Sequence, residues 1–408
     1  MQHKQPRTMN NSTDPQPGIL TDKPTLSVCM IVRDEEEALP RCLRSLQNVA
    51  DELIVVDTGS KDNTVRIAED FDARVFHFKW RDDFSAARNE SLKHATGDWI
   101  LQLDADEELL PTSVPHLKES MSEPSVLLYL VRFDNGVKCR QVRFVWLGRL
   151  FRNHPKLRYH RPYHETIDES VDEVMSEESG WNVRYEPSIV IRHYGYEHAD
   201  MLNKWERGFR IMKSHLNENP KDAYILTKMG GVCSSLGRHD EAETYLNKAL
   251  RIDPDYSEAY FRLGVTLQKQ GKLEAAIRCY EKAISIDPDE ADAELYANLG
   301  VTYIQKGMLD PGIAKLGRAL DINPELALAH SQLGTGYQAK GMLDEAIKEY
   351  ELALAIDSEL AESHNNLAVA YFLKRRYESA VEHCDKALEL GFPVHPAFLQ
   401  ELKRYGLT

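Results

Sequence analysis

A small residue returns at a fixed interval through the second half of this 408-residue chain, and few sequence features limit a fold more tightly. Gly230, Gly264, Gly300, Gly334 and Ala368 are spaced by 34, 36, 34 and 34 residues. Ala249, Ala283, Ala319, Ala353 and Ala387 keep the same step, and so do Met229, Leu263, Leu299, Leu333 and Leu367. Pro254, Pro288 and Pro324 hold a further slot, which Ser358 and then Phe392-Pro393 take over. A unit of this size cannot bury its own apolar face, so neighbouring units must stack into a solenoid. Small side chains let the two helices of a unit approach closely. Asp253-Pro254 and Asp287-Pro288 end one helix and open the next. Gly237, Gly271, Gly307 and Gly341 stand where the turn inside each unit needs an unhindered backbone.

The interval matches the tetratricopeptide repeat (TPR) pattern of two antiparallel helices per repeat. Five repeats are expected over 223–394, with a two-residue insertion near Asp289–Asp292. A helical linker over 201–222 precedes them, and a capping helix over 395–408 covers the last apolar face.

The first half has a different texture. LSVCMIV (26–32), ELIVVDTG (52–59), ARVFHFKW (73–80) and DWILQLDAD (98–106) are short apolar or β-branched runs. Helical stretches such as NTVRIAEDF and FSAARNESLKHA separate them. Strand and helix alternating at that spacing predict a parallel, Rossmann-like α/β sheet over 25–200, preceded by a disordered tail over 1–24 rich in Pro, Asn, Gln and Thr.

Composition closes several alternatives. Fifty basic residues against sixty-five acidic ones leave a net charge of −15, which excludes general affinity for nucleic acid. The segment 25–200 carries −10 of this and 201–408 carries −6. Cys29, Cys42, Cys139, Cys233, Cys279 and Cys384 include no C-x-x-C pair, so they read as reduced thiols of a cytoplasmic protein. The start lacks an apolar signal region, and the longest apolar runs, Leu26–Val32 and Val126–Val131, are too short to span a membrane.

Ligands of parallel sheets bind at the carboxyl ends of the strands, so chemistry is sought there. After the first run comes Arg33-Asp34-Glu35-Glu36-Glu37, which also suits an acidic first helical turn. After the second comes Asp57-Thr58-Gly59-Ser60, where Asp57 either shapes a turn or accepts hydrogen bonds from a base or ribose. The fourth run ends Asp104-Ala105-Asp106-Glu107-Glu108, and strand alternation puts Asp104 and Asp106 on one face. A hard divalent cation carrying phosphate oxygens would relieve their repulsion; a solvated acidic loop is the plain alternative. Arg149, Arg152, Tyr163-His164-Glu165 and His193-Tyr194 add cationic, imidazole and carboxylate groups further on.

MIVRDEE, IVVDTGSKDNT, DDFSAARN, ATGDWILQLDADEEL, RLFRN, YHE and IRHYGY together resemble family 2 glycosyltransferases of the GT-A fold. More narrowly they resemble lipopolysaccharide-core β-glucosyltransferases and, with the repeats, sublancin-type peptide S-glycosyltransferases. The resemblance implies that Asp57 meets the nucleotide base, and that Glu35 and Arg88 serve the donor, Arg88 along the ribose or diphosphate. It implies that Asp104 faces the ribose, that Asp106 and His193 hold Mn²⁺ or Mg²⁺, and that Glu165 is the inverting base, with Asp82, Asp83 and Asp168 as rivals. The usual Lys-Asn-Glu of the first motif is here Arg33-Asp34-Glu35. Asp168–Gly180 reads as a flexible lid or a solvated loop.

The expectation is a metal-dependent, inverting transferase that moves a sugar from a nucleoside-diphosphate donor, a UDP-linked hexose, to a protein or peptide held by the repeats. The repeats equally suit a second subunit, a second copy of the chain included. Two alternatives stand beside this: a lipopolysaccharide or cell-wall glycan transferase that uses its repeats for assembly, and a non-catalytic TPR adaptor with a degenerate GT-A domain.

Overall fold

The computed structural model describes residues 23–135, 144–194, 201–288 and 291–406. The expected tail, apart from its last two residues, lies outside the described residues. So do Cys139 and Asp289 of the insertion. The chain divides into two compact units, 1–220 and 221–408.

The first unit is built on an eight-stranded mixed sheet. Its strands are β1 (Leu26–Val32), β2 (Glu52–Asp57), β3 (Arg74–His77), β4 (Trp99–Gln102), β5 (Glu107–Leu109), β6 (Val126–Asp134), β7 (Phe144–Arg152) and β8 (Asn182–His193), in the order β3-β2-β1-β4-β7-β6-β8-β5. β1 to β4 are parallel, as the alternation predicts, and β7 joins β4 antiparallel. Pairing of Val32 with Asp57, and of Asp57 with His77, brings the first three strand ends into line. The helices are α1 (Leu39–Ser45), α2 (Thr64–Asp70), α3 (Phe84–His94), α4 (Val114–Ser120), α5 (Asp168–Glu177) and α6 (Met201–Glu218).

Both faces of the sheet are covered, which is why β1 reads as an unbroken apolar run. Val28, Met30, Leu39 and Leu43 belong to one core, while Cys29, Ile54 and Ile100 belong to the other with Val171 and Val174. Helix α6 packs within this unit: a Cβ on Gly208 would sit against the Tyr163 ring.

One expectation needs correction. The acidic stretch from Asp168 is neither a lid nor a solvated loop but helix α5, which buries Ser170, Val171 and Val174. Its acids are paired: Glu169 with Arg161, Glu173 with Arg158, and Glu177 and Glu178 with Lys156. Asp168 and Glu169 also stand at the helix start, where negative charge suits the dipole.

The second unit holds five antiparallel pairs: α7 (Ala223–Ser235) with α8 (His239–Ile252), α9 (Ser257–Lys269) with α10 (Leu273–Ile286), and α11 (Ala293–Gln305) with α12 (Leu309–Ile322). α13 (Ala327–Ala339) with α14 (Leu343–Ile356) and α15 (Ala361–Leu373) with α16 (Tyr377–Glu389) complete them. The small column is sterically enforced: a Cβ on Gly264 would lie 2.5 Å from the Tyr280 ring, and one on Gly334 2.8 Å from Tyr350. The turn glycines Gly237, Gly271, Gly307 and Gly341 have φ between +73° and +80°, and Arg375 takes the fifth slot at +59°. α17 (Pro396–Leu402) closes the array with Leu402 buried and Phe398 against Phe372, 5.5 Å between ring centres.

Candidate active site

The loops after β1 and β2 brace each other. Asp34 adopts a left-handed φ of +54°, which short polar side chains tolerate. Its carboxylate accepts from Lys61 N at 2.7 Å, and its own N–H donates to Ser60 Oγ at 3.0 Å. Glu36 Oε2 accepts from Asn63 Nδ2 at 2.8 Å, and Asp62 Oδ2 accepts from Glu36 N at 3.1 Å. The residue that departs from the family's first motif therefore acts as a tie between two strand-end loops.

Asp57 ends β2 almost fully buried, and its carboxylate organises the turn by accepting from Ser60 N at 3.0 Å and Gly59 N at 3.2 Å. His77 Nδ1 lies 3.3 Å away. Burial opposes the charge, but the hydrogen bonds from Ser60, His77 and Gly59 prevail and hold the carboxyl below its ordinary value. Gly59, with φ +110°, is the residue this turn requires.

Glu35 lies between these loops and the end of β4, its N–H donating to Thr64 Oγ1 at 2.7 Å. Burial, then the charges of Asp106 and Asp104, push its carboxyl up to about 7. A carboxyl held against two neighbouring carboxylates is an environment that a cation would relieve.

The turn after β4 carries the two aspartates to different surroundings. Asp104 is clasped by two arginines. From α3, Arg88 Nη1 lies 2.9 Å from Oδ1 and Nη2 donates to Oδ2 at 3.2 Å. From β7, Arg149 Nη2 lies 3.5 Å from Oδ2. Burial raises the Asp104 carboxyl, but Arg88 and Arg149 outweigh it and hold the group well below the usual carboxylate range. Asp106, as exposed as Asp104, meets His193 Nε2 at 3.2 Å. β8 supplies that histidine by pairing its last residue with Glu107.

Glu165 lies in the loop closed by a bridge between His160 and Thr166, and its Oε1 accepts from Arg88 Nε at 2.8 Å. Together with Tyr159, Thr166 and Asp168 it lines a half-open pocket against Arg88 and Arg149. Two of the rival bases have other duties. Asp83 caps α3, accepting from Ala86 N at 2.9 Å, and Asp82 accepts from Trp80 Nε1 at 2.9 Å. Asp168 remains beside Glu165 at the pocket.

Asp57, Glu35, Asp104, Asp106 and His193 therefore stand at the carboxyl-end side of the parallel strands, with Arg88, Arg149 and Glu165 joined to Asp104, whereas Arg152 lies at the opposite end of β4 against Trp99. Glu107 was not singled out: buried on β5, it accepts from Arg149 Nη2 at 2.7 Å and from Asp104 N at 2.9 Å. Burial pushes its carboxyl up to about 8, against the pull of Arg149. The signal was an arginine inside the apolar run of β7, which needs a buried partner.

Among the described residues, no three of His, Cys, Asp and Glu form a ready-made metal cage. The donor set fits a metal of another kind. Asp106 and His193 offer one carboxylate and one imidazole side by side, with Glu35 in an environment short of positive charge. Mg²⁺ and similar ions take one or two carboxylates and complete their shell with substrate phosphates.

Similarity to known proteins extends to both units. The model of the glycosyl transferase family 2 domain matches residues 27–182, and tetratricopeptide repeat models match 222–289, 293–326, 337–375 and 361–390. A TPR repeat-containing protein of Synechococcus elongatus is 41% identical over 278 residues, covering 67% of this chain and 68% of that protein. The SPbeta prophage-derived glycosyltransferase SunS of Bacillus subtilis is 28% identical over 240 residues, and the match spans only 54% of its length and 56% of this chain. An uncharacterized glycosyltransferase of Rickettsia bellii is 34% identical over 117 residues, 28% of this chain and 39% of that one. Among solved structures, YrrB, a TPR protein, is 26% identical with a TM-score of 0.39, covering 47% of this chain and 97% of its own. Among the described residues, no helix is long and apolar enough to cross a membrane. The relative that matches along two thirds of both chains and the repeat models place the protein in one group: it belongs to the tetratricopeptide repeat-containing proteins, with a glycosyl transferase family 2 domain over residues 27–182.

Proposed function

We propose that this chain is a metal-dependent, inverting glycosyltransferase that moves a hexose from a UDP-linked donor to a protein or peptide acceptor engaged by the repeats. The observation that carries the reading is the turn at the end of β4. It sets Asp106 beside His193 while Asp104, through Arg88, sits next to Glu165.

In this reading Asp57 receives the base, and Asp104 and Glu35 form the wall beside the ribose. Asp106 and His193 hold Mn²⁺ or Mg²⁺, which when bound supplies positive charge for the departing diphosphate. Glu165 takes the proton of the acceptor nucleophile, so that the new bond forms on the sugar face opposite the leaving group. The pocket behind Glu165 keeps solvent away from that oxygen once an acceptor side chain fills it. The five described cysteines are free thiols, four of them buried, which suits a reducing cytoplasm.

Stacked helix pairs present an extended surface of the kind that binds peptides, which a small sugar acceptor does not require. The test is turnover of UDP-glucose with Mn²⁺ by the full chain, then mass spectrometry of candidate proteins incubated with both. Asp106→Ala and Glu165→Gln should each slow turnover severely, by about 10²–10⁴-fold for loss of the base. Full activity in both would sink the site assignment, and sugar found only on glycans would refute the protein acceptor.

A further inference from the structure

Arg88 stands in the wall of the Glu165 pocket and is paired there with two carboxylates. Its side chain is 7% exposed, and its guanidinium spans Asp104 with both Nη atoms while Nε donates to Glu165 Oε1 at 2.8 Å. Arg149 extends the array by joining Asp104 to Glu107. Glu165–Arg88–Asp104–Arg149–Glu107 thus forms one alternating row of acidic and basic side chains drawn from α3, β5, β7 and two loops.

We propose that Arg88 is a positioning residue, which fixes the Glu165 carboxylate relative to the Asp104-x-Asp106 turn, and is not itself a ligand of the diphosphate. The inference rests on the reading of Glu165 as the base and Asp106 as the donor-side residue.

Three observations support it. First, the segment carrying Glu165 is not rigid by its own geometry: Arg161 and His164 adopt left-handed φ values of +68° and +53°, which non-glycine residues hold only when the surroundings impose them. A planar five-donor fork supplies that restraint. Second, α3 is a stiff mount. Asp83 caps its first turn, and the N–H of Phe84 donates to Pro162 O at 2.9 Å, tying the helix start to the Glu165 segment. Third, turning Arg88 toward a diphosphate would break the Glu165 pair and leave Asp104 with Arg149 alone, and breaking a largely buried ion pair is costly. The Arg88 contact uses Oε1, and Glu165 lines the pocket with Thr166 and Asp168.

Lysine keeps the charge but cannot span two carboxylates with fixed geometry. In the full chain, Arg88→Lys should slow UDP-glucose turnover at saturating donor by about 10²-fold, the scale of a misplaced catalytic group. It should leave the calorimetric affinity for UDP with Mn²⁺ within about threefold, because nothing that touches UDP has changed. Combined with Glu165→Gln it should be no slower than Glu165→Gln alone. Glu165→Asp, which keeps the charge but shortens the reach, should show the same split and serves if Arg88→Lys does not fold.

A loss of UDP affinity by about tenfold or more with turnover at saturation preserved would place Arg88 on the diphosphate and overturn the proposal. Additive losses in the double variant would overturn it as well. If the unaltered chain neither binds UDP with Mn²⁺ nor turns over UDP-glucose, the glycosyltransferase reading itself fails. That outcome is distinct, because it appears before any variant is made.

Discussion

Two alanine substitutions in the solenoid should have opposite signs. Gly264 lies inside α9, and a Cβ there would stand 2.5, 2.7 and 2.9 Å from Cε1, Cδ1 and Cζ of Tyr280. Carbon atoms in ordinary contact are about 3.5–4.0 Å apart, so the ring would have to move by roughly 1 Å. It has nowhere to go: Tyr280 is wholly buried and its hydroxyl donates to Gln268 Oε1 at 2.9 Å. Overpacking of this kind costs about 1–3 kcal/mol, while replacing glycine by alanine inside a helix returns about 1 kcal/mol. Gly264→Ala should therefore destabilise the repeats by up to about 2 kcal/mol. Gly317, inside α12, has no atom within 4 Å of its would-be Cβ. Gly317→Ala keeps the helix gain alone and should stabilise by about 0.5–1 kcal/mol. Urea denaturation followed by far-UV circular dichroism reads both. All five tryptophans precede residue 221, so fluorescence follows the first unit separately. In a Tyr280→Leu background, Gly264→Ala should become neutral or stabilising. If both alanines shift the midpoint the same way, or if Tyr280→Leu does not relieve Gly264→Ala, steric enforcement of the small column is refuted.

Three further outcomes follow from the first unit. Glu35, pushed up to about 7 from 4.5, favours the folded state fully below pH 4.5 and loses that contribution as pH rises to 7. The shift corresponds to about 3 kcal/mol, reduced by solvent screening to about 1–2 kcal/mol for a partly exposed group. Glu35→Gln should thus be the more stable form at pH 8 and gain nothing at pH 4, checked by thermal denaturation across pH. Asp83→Ala should cost about 1 kcal/mol through loss of the α3 cap, and a comparable loss in Asp82→Ala would show that capping is not the cause. Arg161→Gly, at φ +68°, should relieve backbone strain yet loosen the Glu165 segment, so turnover of UDP-glucose should fall while UDP affinity holds. An unchanged rate would mean that the segment is fixed by other contacts.

Much of the fold was legible because its signals are local. Each repeat needs a small residue between its two helices and a positive φ in its turn, and both requirements recur at the same interval, so the columns appear without any knowledge of contacts. The four parallel strands were legible as short apolar runs, and the chemistry of their ends followed from the polarity of a parallel sheet. Helix α5 was not, since its acids outnumber its apolar residues and its partners, Lys156, Arg158 and Arg161, belong to a preceding loop.

The sequence alone determined which residue types stand at the strand ends: Asp57, Asp104, Asp106 and the distant Glu165 and His193 are all visible as motifs. Only the tertiary structure decided what each one touches. Asp104 and Asp106 are two residues apart and chemically identical, yet the first lies between Arg88 and Arg149 and the second beside His193. The partners come from α3, β7 and β8, up to 89 residues away along the chain from Asp104. Side-chain identity is written locally, whereas burial and charge pairing arise only when distant segments are packed together, and those two quantities set what a carboxylate can do.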